Sequence, residues 1–218
     1  MEKLLCMPTL HRKVARRVGT SRRKRILRAF LHRRSEMTRA EVTKFLSQLL
    51  IDTRFAGAGK HWASEVSVDP WGTEAKRIDY MQFSPANQCS VSGIEKGIFT
   101  CYEIKSCKED VYSGNGLNFL GEKNYLVTTM ECYKEILPDF RSGKFAKHMK
   151  ELFPESSNYF GVMVAIPGWA EVTDEFENPT PLDTEVKRWK LACILPCHEG
   201  PRKRSMTELL FCMVRSGH

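Results

Sequence analysis

The chain has 218 residues and 42% hydrophobic residues, enough for one moderate domain with a real core and an appendage. Its 34 Lys and Arg outnumber 26 Asp and Glu, giving a net charge of +8 and a pI near 9.1. That balance suits a polyanionic partner such as nucleic acid, although ribosomes and anionic membranes would attract the same charge. No apolar run approaches the roughly 18 residues of a membrane span, and the N-terminus lacks the apolar stretch of a secretory signal. The expected compartment is therefore reducing cytosol, with no membrane partner. In that setting the 8 Cys read as thiols. Cys101 and Cys193 read as small buried hydrophobes, and Cys193, Cys197 and His198 lack the second ligand pair of a zinc finger.

Residues 11–34 hold eleven Lys and Arg and no acid, interleaved with Val14, Val18, Ile26, Leu27, Phe30 and Leu31. Residues 1–36 are thus a basic extension, and 37–218 the folded domain. In the extension, Arg22, Arg23, Lys24 and Arg25 are candidates for phosphate contact, since each can displace condensed counterions. A solvated tail or an organelle-addressing segment has the same composition.

Thr38 with Glu41 three residues on predicts a capped helix start, and Val42, Phe45, Leu46, Leu49 and Leu50 supply one apolar face. After the loop at Gly57 and Gly59, residues 61–68 read as a strand with Trp62, Val66 and Val68 on one side. A turn at Pro70-Trp71-Gly72 leads to a strand over 77–83. Residues 84–97 read as a long loop, and 98–106 as a third strand. The turn-rich segment 113–118 precedes a strand over 124–129. Thr129 then caps a helix over 130–137 that Pro138 should stop. Buried strands are predicted over 159–166 and 189–195, with a loop over 170–187 between them. A closing helix is expected over 205–214. Three consecutive strands favour an antiparallel meander, and the later strand–helix–strand unit adds a parallel pair. The expected class is α/β, a mixed central sheet flanked by helices.

Two of these strands carry charges where apolar residues dominate. Asp79 lies in Arg77-Ile78-Asp79-Tyr80-Met81, and Glu103-Ile104-Lys105 follows Gly97-Ile98-Phe99-Thr100-Cys101-Tyr102. Residues two apart on a strand share a face, so Glu103 and Lys105 project together while Ile104 points the other way. Charges in such strands are costly unless paired or metal-bound. Two carboxylates can hold one divalent cation, with the Ile104 carbonyl as a third oxygen ligand, and lower the pKa of an attacking water. Lys105 can orient that water or stabilise developing negative charge. The plain alternative is a surface Glu–Lys pair and a satisfied structural Asp.

The order of helix with Glu41, strand, strand with Asp79 and strand with Glu103-Ile104-Lys105 resembles the PD-(D/E)XK nuclease core. The stretches Arg77-Ile78-Asp79-Tyr80 and Tyr102-Glu103-Ile104-Lys105-Ser106 look closest to the MmcB-like DNA repair group. They also resemble phage and mobile-element proteins of Gram-positive bacteria. The likeness covers roughly 37–218, including Gly116-Leu117-Asn118-Phe119, Lys123-Asn124-Tyr125 and the basic element at 202–204. It departs at Ile78, where the family's name has proline. The resemblance implies a restriction-endonuclease-like αβ sandwich, a Mg2+ or Mn2+ requirement and DNA cleavage in the cytoplasm of a bacterial or phage-infected cell. By position, Asp79 and Glu103 become metal ligands, Lys105 the catalytic lysine, and Glu41 the first-helix acid.

Lys108, Lys123, Asn124, Arg202, Lys203 and Arg204 are further candidates for nucleic-acid contact. Trp62 and Trp71 could stack on bases but fit core or loop anchors better, and His61 reads as structural. Three functions follow: a metal-dependent DNA nuclease, a non-catalytic nucleic-acid-binding protein on the same fold, or a phage-encoded protein that blocks a host defence enzyme. A homodimer is compatible with each.

Overall fold

The computed structural model describes residues 37–69, 76–87 and 90–216. The basic block with Arg22, Arg23, Lys24 and Arg25, and the turn with Trp71, lie outside them. The first helix, α1 (Arg39–Leu50), starts where Thr38 and Glu41 complete a reciprocal capping box. It runs on into a π-turn, Ile51–Phe55. The strands are β1 (His61–Val68), β2 (Lys76–Ser84), β3 (Ile98–Lys105), β4 (Lys123–Thr129), β5 (Gly161–Pro167) and β6 (Trp189–Leu195). They form one six-stranded sheet in the order β1-β2-β3-β4-β5-β6. The first three make the expected antiparallel meander, β3, β4 and β5 are parallel, and β6 returns antiparallel.

Side chains from alternate positions of β3 separate two layers. Tyr102 and Ile104 join Val127, Met163 and Ala165 beneath Phe45, Leu46, Leu49 and Leu50 of α1. On the other face, Phe99 and Cys101 pack with Leu209, Cys212 and Met213 of the closing helix. Further along that face, Leu126, Val162, Val164 and Ile166 are covered by Ile136, Phe145 and Met149 from the helices between β4 and β5. The fold is therefore an α/β sandwich, a mixed open sheet with helices on both faces. Among the described residues no helix is long and apolar enough to cross a membrane.

Several elements differ from expectation. The segment 84–97 contains a short helix, α2 (Val91–Glu95), because Ser90 caps the Gly93 N–H. A second, α3 (Lys108–Val111), follows β3. Helix α4 (Met130–Ser142) runs through Pro138 to a left-handed Gly143. Proline removes one helix N–H, but the next turn is anchored from outside. Asp139 accepts from the Tyr112 hydroxyl at 3.0 Å, and the Phe140 ring meets Phe145 edge-on at 4.8 Å. An unforeseen helix, α5 (Lys144–Leu152), buries only Phe145 and Met149. The segment 170–187 holds α6 (Val172–Glu177) and a 3-10 turn, Val186–Arg188. The closing helix is α7 (Met206–Ser216).

The expected face of β1 is also wrong. Trp62 stacks on Phe55 at 4.8 Å on the α1 side, whereas Val66 and Val68 pack under α7 with Ala63. Alternation slips at Glu65, whose φ of 53° lies in the left-handed region.

Helix α1 depends on its cap for a clean start. Glu41→Ala should lower unfolding free energy by about 1 kcal/mol, as other lost helix-start partners do. Urea denaturation measures it, and an unchanged midpoint would mean the box contributes nothing.

Candidate functional site

The sheet register explains how the central carboxylates meet. The β2–β3 ladder ends at Tyr80↔Tyr102, so the next step would set Asp79 opposite Glu103. There the backbone pairing stops, and the Ile104 N–H donates to Asp79 Oδ2 at 2.7 Å. Glu103 is fully buried and Lys105 only 4% exposed. Both lie on the face opposite Ile104, as strand alternation requires.

The loop after α3 closes over this pair. Asn118 N–H donates to Glu103 Oε1 at 2.9 Å, and its side-chain amide donates to the Arg77 carbonyl at 2.8 Å. Lys105 Nζ donates to the Asn115 carbonyl and lies 3.8 Å from Asp110 Oδ1. Asp110 in turn accepts from the Ser106 N–H at 3.0 Å, fixing the turn out of β3. Gly116 has a φ of 75°, and a Cβ on it would come within 2.9 Å of Lys105 Nζ and 3.0 Å of Glu103 Oε2. Glycine is needed there for both reasons.

Burial pushes the Glu103 carboxyl well above its ordinary range. Asp79 adds to the shift, while Lys105 and the Asn118 and Leu117 N–H groups oppose it. Asp79 is raised by burial as well, against the Ile104 N–H and Lys105. Glu103 Oε2 is buried with no hydrogen-bond partner among the described residues. An ionised oxygen in that position calls for a cation or a proton.

Asp79, Ile104, Lys105, Gly116 and Asn118 line a cavity of about 890 Å3. Its rim adds Thr43 and Ser47 from α1, Glu65 and Ser67 from β1, and Lys76 and Arg77 from β2. Asp79 and Glu103 supply hard oxygens, the donor type that suits a small divalent cation holding several waters. Among the described residues, no group of three or more His, Cys, Asp or Glu side chains is placed to hold a metal.

Other expected residues are elsewhere. The Glu41 carboxylate accepts from the Thr38 N–H at 2.7 Å and hydroxyl at 2.8 Å and does not reach the cavity; Thr43 and Ser47 represent α1 there. Asn124 is fully buried and bonds Gly121 and Tyr159, so it cannot offer its amide to phosphate. Lys123 pairs in register with Thr100, at the far end of β3 from Lys105. Lys108 binds Asp139 at 2.8 Å and the Glu135 carbonyl at 3.0 Å, which ties α3 to α4. Arg202 pairs with Glu122 at 3.1 Å. Arg204 joins Asp69 at 2.6 Å and Glu155 at 2.8 Å, whereas Lys203 is exposed.

Cys101 is buried, and desolvation pushes its thiol up to about 12. Cys193 is exposed instead, near the end of the edge strand β6. The sequence reading passed over Glu65, and it placed Arg77, Gly116 and Asn118 within stretches of resemblance without giving them a role. Glu65 carried the signal that picked out Asp79, a lone acid within an apolar strand.

Comparison with protein-family models, curated proteins and solved structures finds no match to this chain.

Two outcomes follow from this geometry. Gly116→Ala should displace Lys105 and cost about 1–2 kcal/mol for its left-handed backbone and the clash, measured by urea denaturation. A crystal structure of that variant with Lys105 unmoved would refute the packing argument. The raised carboxyls also set a pH trend. The native state holds these protons more tightly than the unfolded chain, so their contribution to stability falls as pH rises above the ordinary carboxylate range of about 4. Asp79→Asn keeps an acceptor for Ile104 and removes one charge. In EDTA, its stability relative to the parent should increase between pH 4 and 8, and a decrease would contradict the assignment.

Proposed function

We propose that the chain is a metal-dependent nuclease that hydrolyses DNA phosphodiesters, using Mg2+ or Mn2+. The observation that carries this reading is the Asp79–Glu103–Lys105 constellation beside one polar cavity, with a buried Glu103 oxygen lacking a partner. Asp79 and Glu103 would hold the cation, which supplies charge neutralisation at phosphorus and a more acidic water.

The chain's own residues do the rest. Lys105, fixed by the Asn115 carbonyl, presents an ammonium where negative charge grows on the phosphate. Gly116 and Asn118 hold Glu103 and Lys105 in place, which limits reorganisation during reaction. The likeness to the PD-(D/E)XK core supports the same roles for Asp79, Glu103 and Lys105. An excess of basic residues supports a polyanionic substrate.

A second reading, a nucleic-acid-binding protein on the same fold without cleavage, rests on the excess of basic residues, which serves a polyanionic partner without requiring a cation. A cleavage assay separates the two. Purified protein with Mg2+ or Mn2+ should nick or degrade DNA across single-stranded, double-stranded and branched substrates. Asp79→Asn, Glu103→Gln and Lys105→Met should each reduce the rate by about 100-fold or more, whereas Glu41→Gln should leave it unchanged. Binding without cleavage in the parent would establish the second reading.

A further inference from the structure

Strands β1 and β2 share an irregularity at the cavity rim. Their ladder pairs Ser64 with Tyr80 and Val66 with Ile78, and leaves out the intervening step, Glu65 opposite Asp79. Alternation slips in both strands at that step. Ala63 and Val66 lie in one core layer three positions apart, and so do Ile78 and Met81. Glu65 adopts a φ of 53°, a conformation that non-glycine side chains rarely take. Such a backbone persists only where the surroundings impose it, and it recurs at functional sites.

The slip leaves the Glu65 carboxylate at the rim, in the register position facing Asp79. There it is held by Arg77, whose Nε lies 2.6 Å from Glu65 Oε2. Both side chains are more than half exposed, so the pair is held weakly, by about 0.2–1 kcal/mol. A phosphate can compete for a guanidinium at that strength, because Arg–phosphate pairs are charge-assisted and often bidentate. Glu65 and Arg77 line the same cavity as Asp79 and Lys105. The partner-free Glu103 oxygen beside that cavity is a separate sign that a cation belongs there.

We infer that Glu65 and Arg77 are an exchangeable pair: a phosphate of an incoming polynucleotide strand takes Arg77, and the freed Glu65 carboxylate joins Asp79 and Glu103 as a third oxygen donor for the cation. This rests on the cation-dependent reading above and adds a coupling to it. Phosphate binding and cation binding then reinforce each other, since each removes one half of an ion pair that blocks the other. The arrangement also explains why the described residues show only two carboxylates directed to the centre: the third is paired away.

A double-mutant cycle on Mn2+ affinity, read by calorimetry without DNA, tests the exchange. Arg77→Met releases Glu65 permanently and should tighten Mn2+ binding by up to about fivefold, the most that so weak a pair can withhold. In a Glu65→Gln background the same substitution should change affinity less than about twofold. Equal gains in both backgrounds would mean that Arg77 acts only by long-range charge, and the exchange would be overturned. Both residues are exposed, so the variants should fold, and circular dichroism checks this.

Oligonucleotide binding in EDTA tests the phosphate half. Arg77→Met should flatten the dependence of log K on log salt by about 0.7, one single-strand phosphate contact. An unchanged slope overturns that half. If the parent binds no Mn2+ that Asp79→Asn removes, the cation site itself is wrong and the exchange falls with it. If Asp79-dependent binding is present but indifferent to Glu65, the exchange alone fails.

Discussion

The Glu103 carboxylate has no exposure to solvent, and the surrounding architecture can be followed outward from it. Burial disfavours a charge there, and the Asn118 N–H and the Lys105 ammonium offset that penalty only in part. Lys105 comes from the same strand face, two residues on. The Asn118 N–H comes from a loop that crosses back over β3, with Gly116 and Leu117 both at positive φ. Asn118 also reaches the Arg77 carbonyl and so links that loop to β2. Glu103 and Lys105 thus leave no room for a side chain at Gly116, and the β2–β3 ladder stops where Asp79 takes the Ile104 N–H. One of the Glu103 oxygens is left without a partner, a local instability of the kind found where stability is traded for a site.

The surface charge has a different organisation from the one its abundance suggests. Arg204 is a hub: it joins Asp69 at the end of β1, Glu155 beyond α5 and Glu208 in α7. Lys76 meets the same Glu155. These contacts moor the end of β1 and the start of β2 to the rest of the fold. Cations counted as available for phosphate are therefore largely structural within the described domain, as Lys108 and Arg202 also are. A basic composition measures long-range attraction, while the contact surface depends on which cations have no carboxylate beside them.

Some of the fold is local, and this part is legible in the chain. The Thr38–Glu41 box, the apolar face of α1, the six strands and the meander all follow from spacing and turn residues within a short window. Where neighbours overruled a local signal, the reading failed. Pro138 marks a helix end by itself, but Tyr112 and Phe145 hold the next turn in place. Cys193 looks like a core thiol, but it lies near the end of an edge strand and is exposed. Strand alternation puts Trp62 with Val66, yet a left-handed residue between them reverses the phase.

The sequence by itself determined which charges stand within apolar strands. Charged side chains within apolar strands are costly enough to be conspicuous, which singles out Asp79, Glu103 and Lys105, and period-two geometry puts the last two on one face. Only the tertiary structure decided what surrounds them. Glu65 and Arg77 come from β1 and β2 and Gly116 and Asn118 from the loop beyond β3, while Glu41 stays with its own helix cap. The physical reason is range: propensity, capping and alternation act over a few residues, whereas a partner for a buried charge is supplied by whatever the packed sheet brings within hydrogen-bonding distance.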